Sequence, residues 1–283
     1  MSALFAVAQN KQKMVSTLMK RMSIFIAVTY GFTWLVWLPL LANRQWHAGL
    51  PTFPGQFYLG SFGPLLGALT ASLGNGGWSE ALRWIRTAFF RRFPRRWLGY
   101  GLGLPLGYGL VAALVQRLVA GAWPEWHSFG LTRQLPGLNL GTTALVWVLT
   151  AGLGEESGWR GFLLPRLDRR LAPLTSAVSV AGLWLLWHLP AFWFDETYQG
   201  MGFAVLGWVI SLMYGSVLLA WLCRGSRYSV LPVMLWHGGF NLMTAGDQAA
   251  PIMAMTCSLL VIAQGIFLSR QQARAGLAVK LPE

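Results

Sequence analysis

Thr150-Ala-Gly-Leu-Gly-Glu-Glu-Ser-Gly-Trp-Arg-Gly-Phe-Leu-Leu164 sets two adjacent carboxylates and an arginine inside an apolar run that opens near Leu140. A charge at membrane depth is costly, so ionisable side chains there face a cavity or a partner and mark a functional site. Glu156 and Arg160 stand four residues apart and share a helix face, where they can pair. Glu155 lies about 100° round the helix, so it points elsewhere and has no partner on its own helix. The apolar run predicts a membrane span over about 140–164, and the rest of the chain is a search for what Glu155 faces.

The surrounding composition supports a membrane reading. The chain is 55% hydrophobic and 11% charged, with a mean hydropathy of +0.49, whereas a soluble domain carries about 25% charged residues. The fold class expected is an all-α polytopic membrane protein. Its 283 residues suit about eight short-looped spans of roughly 20 residues, forming one integral membrane domain over 1–283 around a polar intramembrane cavity. Apolar runs place the spans at about 22–42, 57–74, 97–122, 140–164, 174–194, 202–223, 229–245 and 249–268. Gly63, Gly67 and Ala71 in the second, and Gly99, Gly103 and Gly107 in the third, recur every four residues and read as packing stripes. Cys223 and Cys257 lie in apolar segments without metal or disulfide spacing and read as core residues. The opening residues are too short for a signal-peptide core, so no cleaved leader is expected.

The net charge of +13 would suggest nucleic acid in a soluble protein. Here the arginines fall between apolar runs and carry topology information, so no nucleic-acid partner is expected. Eighteen of the 22 Lys and Arg residues fall in alternate loops. Only Arg44 and Arg133 lie on the other side, and Arg117 and Arg160 sit within spans. This asymmetry predicts a multi-pass protein of the plasma (inner) membrane with both termini in the cytosol. Between the second and third spans, about 78–93, Ala81, Leu82, Ile85, Ala88 and Phe89 make one apolar face with arginines off it. That pattern predicts a basic helix lying in the bilayer interface, stopped near Pro94. His47 and His127 fall in loops and read as solvated.

Within the spans, His188, His237 and Asn241 join Glu155, Glu156 and Arg160 as buried polar positions. His237 and Asn241 are four apart and share a face. A single buried histidine is explained by an interhelical hydrogen bond. Two histidines, a spare carboxylate and an amide on three helices point instead to a convergent site. A carboxylate in apolar surroundings can take a proton from water near neutral pH. A neighbouring histidine can orient that water, and a second histidine with an amide can donate to a developing oxyanion. No His-Glu-x-x-His or cysteine cluster marks a metal, although Glu155, His188 and His237 could in principle form a two-His, one-carboxylate zinc site. Ser157 lacks a nucleophile-elbow setting and suits helix packing.

Glu155-Glu156-x-x-x-Arg160, an aromatic residue (Trp184) four before His188, and His237-x-x-x-Asn241, in that order, resemble the CPBP (Abi) family, which includes the type II CAAX prenyl endopeptidases. Trp184 departs from a position where that family more often has phenylalanine. The resemblance covers about 140–245 and the eight-helix architecture. It implies an intramembrane endopeptidase of the glutamate type, acting on a membrane-associated or lipidated protein or peptide at the bilayer. On that analogy Glu155 and His188 activate water, His237 and Asn241 form the oxyanion hole, and Glu156 and Arg160 support them. No cofactor is then expected, with zinc the alternative. A non-catalytic immunity or scaffold protein of the same fold is the competing reading. A solute or proton carrier would show an internal repeat or paired broken helices, and neither is visible. On these boundaries His188 lies roughly 10 Å from Glu155 in depth at 1.5 Å per residue.

Overall fold

The structure is a computed structural model that describes residues 2–132, 135–246 and 251–278. Arg133, Asp247 and Lys280 lie outside the described residues. Among those described, the regular structure is helical, with no strand. The chain opens with α1 (Ser2–Trp46), a short α2 (Gln56–Leu59), α3 (Gly63–Phe89) and α4 (Arg96–Ala120). The next apolar stretch consists of α5 (Leu140–Trp147), α6 (Glu156–Gly158) and α7 (Leu164–Leu167), joined by π-helical turns at Val148–Glu155 and Trp159–Leu163. It is followed by α8 (Pro173–His188), a short α9 (Glu196–Gln199), α10 (Ala204–Gly225), α11 (Leu231–Thr244) and α12 (Pro251–Ala278).

Five segments are long and apolar enough to cross a membrane: Met19–Trp46, Arg96–Ala120, Pro173–Trp193, Ala204–Gly225 and Pro251–Ala273. They correspond to the first, third, fifth, sixth and eighth spans expected from the sequence, and they make this an integral membrane protein. The other three expected spans are helical but lack that length or apolarity. Residues 140–167 carry Glu155, Glu156, Arg160 and Arg166 and are interrupted by π turns. The 14 residues of α11 reach about 21 Å at 1.5 Å each, short of a hydrocarbon core of about 30 Å. In α3 the apolar half ends at Gly77, where φ is 60° and ψ −155°, a conformation essentially reserved for glycine. Beyond Gly77 the helix turns basic. The helix expected at 78–93 is present as the second half of α3, and it ends at Phe89 rather than continuing to Pro94.

Two layers of contact position the centre. The first is α1 against α3, and here the glycine reading holds. A Cβ on Gly63 would lie 2.6 Å from the Thr29 carbonyl oxygen, and one on Gly67 would lie 2.7 Å from that of Phe25. Ala71 is fully buried beside them. The second is α4 against α11 and α12, where the expected stripe is corrected. Gly99, Gly103 and Gly107 have nothing within 4 Å of an added Cβ, whereas Gly101 would meet the Pro232 carbonyl at 2.5 Å and Gly109 the Met243 sulfur at 2.8 Å. Four-residue spacing shows that the three glycines share a face; it does not say which face meets a neighbour. The buried face of α4 is the one bearing Gly101, Pro105, Tyr108 and Ala112.

At one end of the molecule Asp168 receives Arg224 through two bonds of 2.9 and 2.8 Å and the Tyr228 hydroxyl at 3.1 Å. This ties the end of α7 to the α10–α11 turn. Close backbone approach also makes the packing sensitive to one methyl group. Gly158→Ala would put a Cβ 2.4 Å from the Pro64 carbonyl oxygen, an overpacking that costs about 1–3 kcal/mol. Gly103→Ala meets open space. The first is expected to lower the thermal unfolding midpoint in detergent by several degrees, and the second to leave it unchanged or raised.

Candidate active site

The site forms where the helix containing 148–163 is least regular. A π turn widens the helix and breaks its 3.6-residue rhythm, a feature that recurs at functional sites. Small residues in this stretch admit neighbouring backbones. A Cβ on Gly154 would lie 2.6 Å from the Ser61 carbonyl, and one on Gly152 2.6 Å from that of Met234. The first approach delivers the turn before α3 to Glu155. The second delivers α11, which carries His237 three residues after Met234.

Glu155 is buried, 5% exposed, and both its oxygens are engaged from other elements. Its Oε2 accepts the Trp184 indole N–H at 2.8 Å, and its Oε1 accepts the Ser61 hydroxyl at 3.3 Å. His188 closes α8, after which Pro190 carries the chain into a 3-10 turn. Its Nδ1 lies 2.7 Å from the Trp184 carbonyl oxygen. A carbonyl can only accept, so Nδ1 carries the proton and the neutral ring keeps its lone pair on Nε2. Aromatic rings enclose that imidazole, with centroids of Trp187 at 4.7 Å, Trp208 at 5.4 Å, Trp184 at 5.7 Å and Tyr198 at 6.0 Å.

Glu156 takes the other direction. Its Oε1 receives Arg160 Nη1 at 2.8 Å and His237 Nδ1 at 2.8 Å, and its side chain is 0% exposed against 1% for Arg160. The Arg160 guanidinium also lies over the Trp184 ring, 4.5 Å from the centroid, in cation–π geometry. The His237 ring is 5.2 Å from the same indole. Backbone carbonyls along the second π turn find donors on other helices: Arg160 receives Cys223 Sγ at 3.4 Å, and Gly161 receives Trp84 Nε1 at 3.2 Å.

The structure thus gathers Glu155, His188, His237, Glu156 and Arg160 around the Trp184 side chain and backbone. Asn241 stands one turn of α11 beyond His237, half-buried, with no side-chain partner among the described residues. Glu155 and His188 both bind Trp184, one through its indole and the other through its carbonyl. Two features were not read from the sequence. One is Ser61, whose hydroxyl reaches Glu155 from a segment 94 residues away. The other is the direct bond between Glu156 and His237, which makes Glu156 part of the histidine arrangement as well as the partner of Arg160. His47 and His127 are exposed, as their loops suggest.

Among the described residues no three His, Cys, Asp or Glu side chains are grouped to hold a metal ion. Each Glu155 oxygen accepts one hydrogen bond from a protein donor. This geometry does not fit a ready-made zinc set of Glu155, His188 and His237. What the arrangement offers is a carboxylate held by two donors, a histidine with a free Nε2, and a second histidine backed by a carboxylate.

Fold and site together define a polytopic helical membrane protein with a buried acid–histidine centre. Residues 137–243 match the family described as Type II CAAX prenyl endopeptidase Rce1-like. That segment contains Glu155, Glu156, Arg160, Trp184, His188, His237 and Asn241, but not Ser61. The chain is also 25% identical over 147 residues to CAAX prenyl protease 2 of Methanococcus maripaludis, an alignment that covers 49% of this chain and 54% of that protein. The chain thus spans about half the length of the curated relative it matches. Over these residues the chain is similar to the type II CAAX prenyl endopeptidases.

The buried ion pair is testable apart from any activity. Removing one partner of such a pair leaves an uncompensated charge and costs about 3–5 kcal/mol, whereas replacing both by apolar groups is often close to neutral. Arg160→Met is therefore expected to lower stability sharply in detergent unfolding, and the double variant Glu156→Leu/Arg160→Met to recover much of the loss.

Proposed function

We propose that this protein is an intramembrane endopeptidase that hydrolyses a peptide bond of a membrane-associated or lipidated substrate with water activated by Glu155 and His188. The observation that carries the reading is Trp184, which holds the Glu155 carboxylate through its indole N–H and the His188 Nδ1–H through its carbonyl. The two groups needed to take a proton from water are thereby oriented by one residue.

In the reaction, water gives a proton to Glu155, while the free Nε2 of His188 accepts a hydrogen bond from the same water and orients it. The hydroxide oxygen adds to the scissile carbonyl carbon, and the carbonyl oxygen becomes an oxyanion. Asn241 donates to it through its amide, and His237 through Nε2. Because the Nδ1–H of His237 is turned to Glu156, donation from Nε2 requires a ring carrying both protons. Glu156, which also holds Arg160, orients that ring through its Nδ1. Collapse of the tetrahedral intermediate breaks the C–N bond, and the proton on Glu155 goes to the leaving amine. Ser61 holds Glu155 in place and does not touch the substrate.

The motif order and the match over residues 137–243 support a protease. The name of the Methanococcus relative suggests a prenylated substrate, which we extend to this chain as part of the proposal. The test is cleavage of membrane-tethered and lipidated peptides, prenylated and not, by the purified full chain. Glu155→Gln and His188→Ala are expected to lose about 10²–10⁴ in kcat, the range for positioned acid–base catalysis. Asn241→Ala is expected to lose about 10²–10³ as an oxyanion donor. Full activity of Glu155→Gln would remove the carboxylate from the mechanism. Loss of cleavage with a strong chelator and recovery with zinc would reassign Glu155 and the histidines as ligands. A wild-type chain that cleaves no peptide yet retains its biological effect after Glu155→Gln would favour a scaffold or immunity role.

A further inference from the structure

The second half of α3 carries a surface groove that the catalytic reading leaves unused. It has a volume of about 530 Å³ and is lined by Ser79, Leu82, Arg83, Arg86, Thr87 and Arg91. Its hydroxyls are already committed: Ser79 donates to the Gly76 carbonyl at 2.8 Å and Thr87 to that of Arg83 at 2.9 Å. Arg83 is shared with Glu80 at 2.6 Å, and Glu80 also binds Arg21 at 3.1 Å. Arg86 and Arg91 are exposed and have no ion-pair partner among the described residues. The free donors of the groove are therefore guanidinium groups, whose planar forks suit phosphate oxygens.

An apolar rim accompanies this charge. Leu82 is 46% exposed, Trp78 71% and Phe90 76%, and all three lie within a turn or two of the arginines. A free anion would leave that rim in contact with water. A molecule with a phosphate at one end and hydrocarbon at the other would satisfy both. The placement agrees, because Gly77 ends the apolar half of α3 and the basic, amphipathic half after it has the pattern of a helix that lies on a bilayer surface.

We propose that the groove seats the phosphate headgroup of an anionic phospholipid, with Arg86 and Arg91 on the phosphate and the acyl chains beside Leu82, Trp78 and Phe90. The opposite face of the same helix is closed: Ala81, Trp84 and Ala88 are buried, and Trp84 donates to the Gly161 carbonyl at 3.2 Å. A lipid bound on the outer face braces the helix that packs on the turn bearing Arg160.

The experiment adds phosphatidylglycerol or phosphatidylcholine to the detergent-purified full chain and reads bound lipid per protein and the rise in unfolding midpoint. Wild type is expected to prefer phosphatidylglycerol. Arg86→Gln/Arg91→Gln is expected to weaken that binding at least tenfold while its midpoint without added lipid stays at the wild-type value. Arg92→Gln/Arg95→Gln, on the same basic stretch outside the groove, is expected to bind as wild type. Inorganic phosphate at equal concentration is expected neither to raise the midpoint nor to displace the lipid. The proposal is overturned if wild type shows no preference, if the Arg86/Arg91 variant binds undiminished, if both double variants weaken equally, or if phosphate alone replaces the lipid.

Discussion

A carboxylate and a guanidinium locked together at 2.8 Å with almost no exposure are the constraint on which the rest of this site depends. Either charge alone at that depth would be strongly unfavourable, so each requires the other and neither helix turn can drift. The pair is not closed on itself. Glu156 also holds the Nδ1 of His237, and Arg160 spreads its charge over the Trp184 ring. The pair therefore fixes α11 and α8 relative to the turn that carries Glu155. Glu155 is left to interact with the indole and with Ser61, free of any competing salt bridge from its own helix.

This division of labour between adjacent carboxylates has a simple origin. Successive residues on a helix point in different directions, so Glu155 and Glu156 meet different neighbours although they are joined by one peptide bond. One is neutralised by charge and serves as framework. The other is surrounded by neutral donors, the Trp184 indole and the Ser61 hydroxyl. The aromatic rings around His188 extend the same logic, because they fix the plane of the imidazole while its Nδ1 is held by a backbone carbonyl.

Much of this was legible in the sequence because it depends on local spacing. The Glu156–Arg160 pair follows from four-residue separation, the helical class from the apolar runs, and the three groups of site residues from polar side chains where apolar ones are expected. What escaped depends on which helices meet. Ser61 carries no signal in a segment of small and apolar residues, and only the approach of Gly154 to its carbonyl brings it to Glu155. The glycines of α4 were assigned the wrong face because period four identifies a stripe but not its neighbour. The count of spans is blurred for a related reason. The stretch bearing Glu155 is broken and charged and α11 is short, so neither has the length and apolarity of a membrane span, whereas α8 does.

The π turns have a consequence for how this stretch tolerates change in length. A π turn is an α-helix that has accommodated an extra residue, and each residue of α-helix accounts for about 100° of rotation. Residues 148–155 and 159–163 thus hold the two ends of the helix at a relative angle that a regular helix of the same length would not produce. Deleting one residue there would do more than shorten the helix. It would let the turn relax to a tighter form and swing every side chain beyond it round the axis, carrying the charged pair away from α11. The motif is defined by its register as much as by its letters, and a chain with the same residues in a smoother helix would present a different surface to α8 and α11.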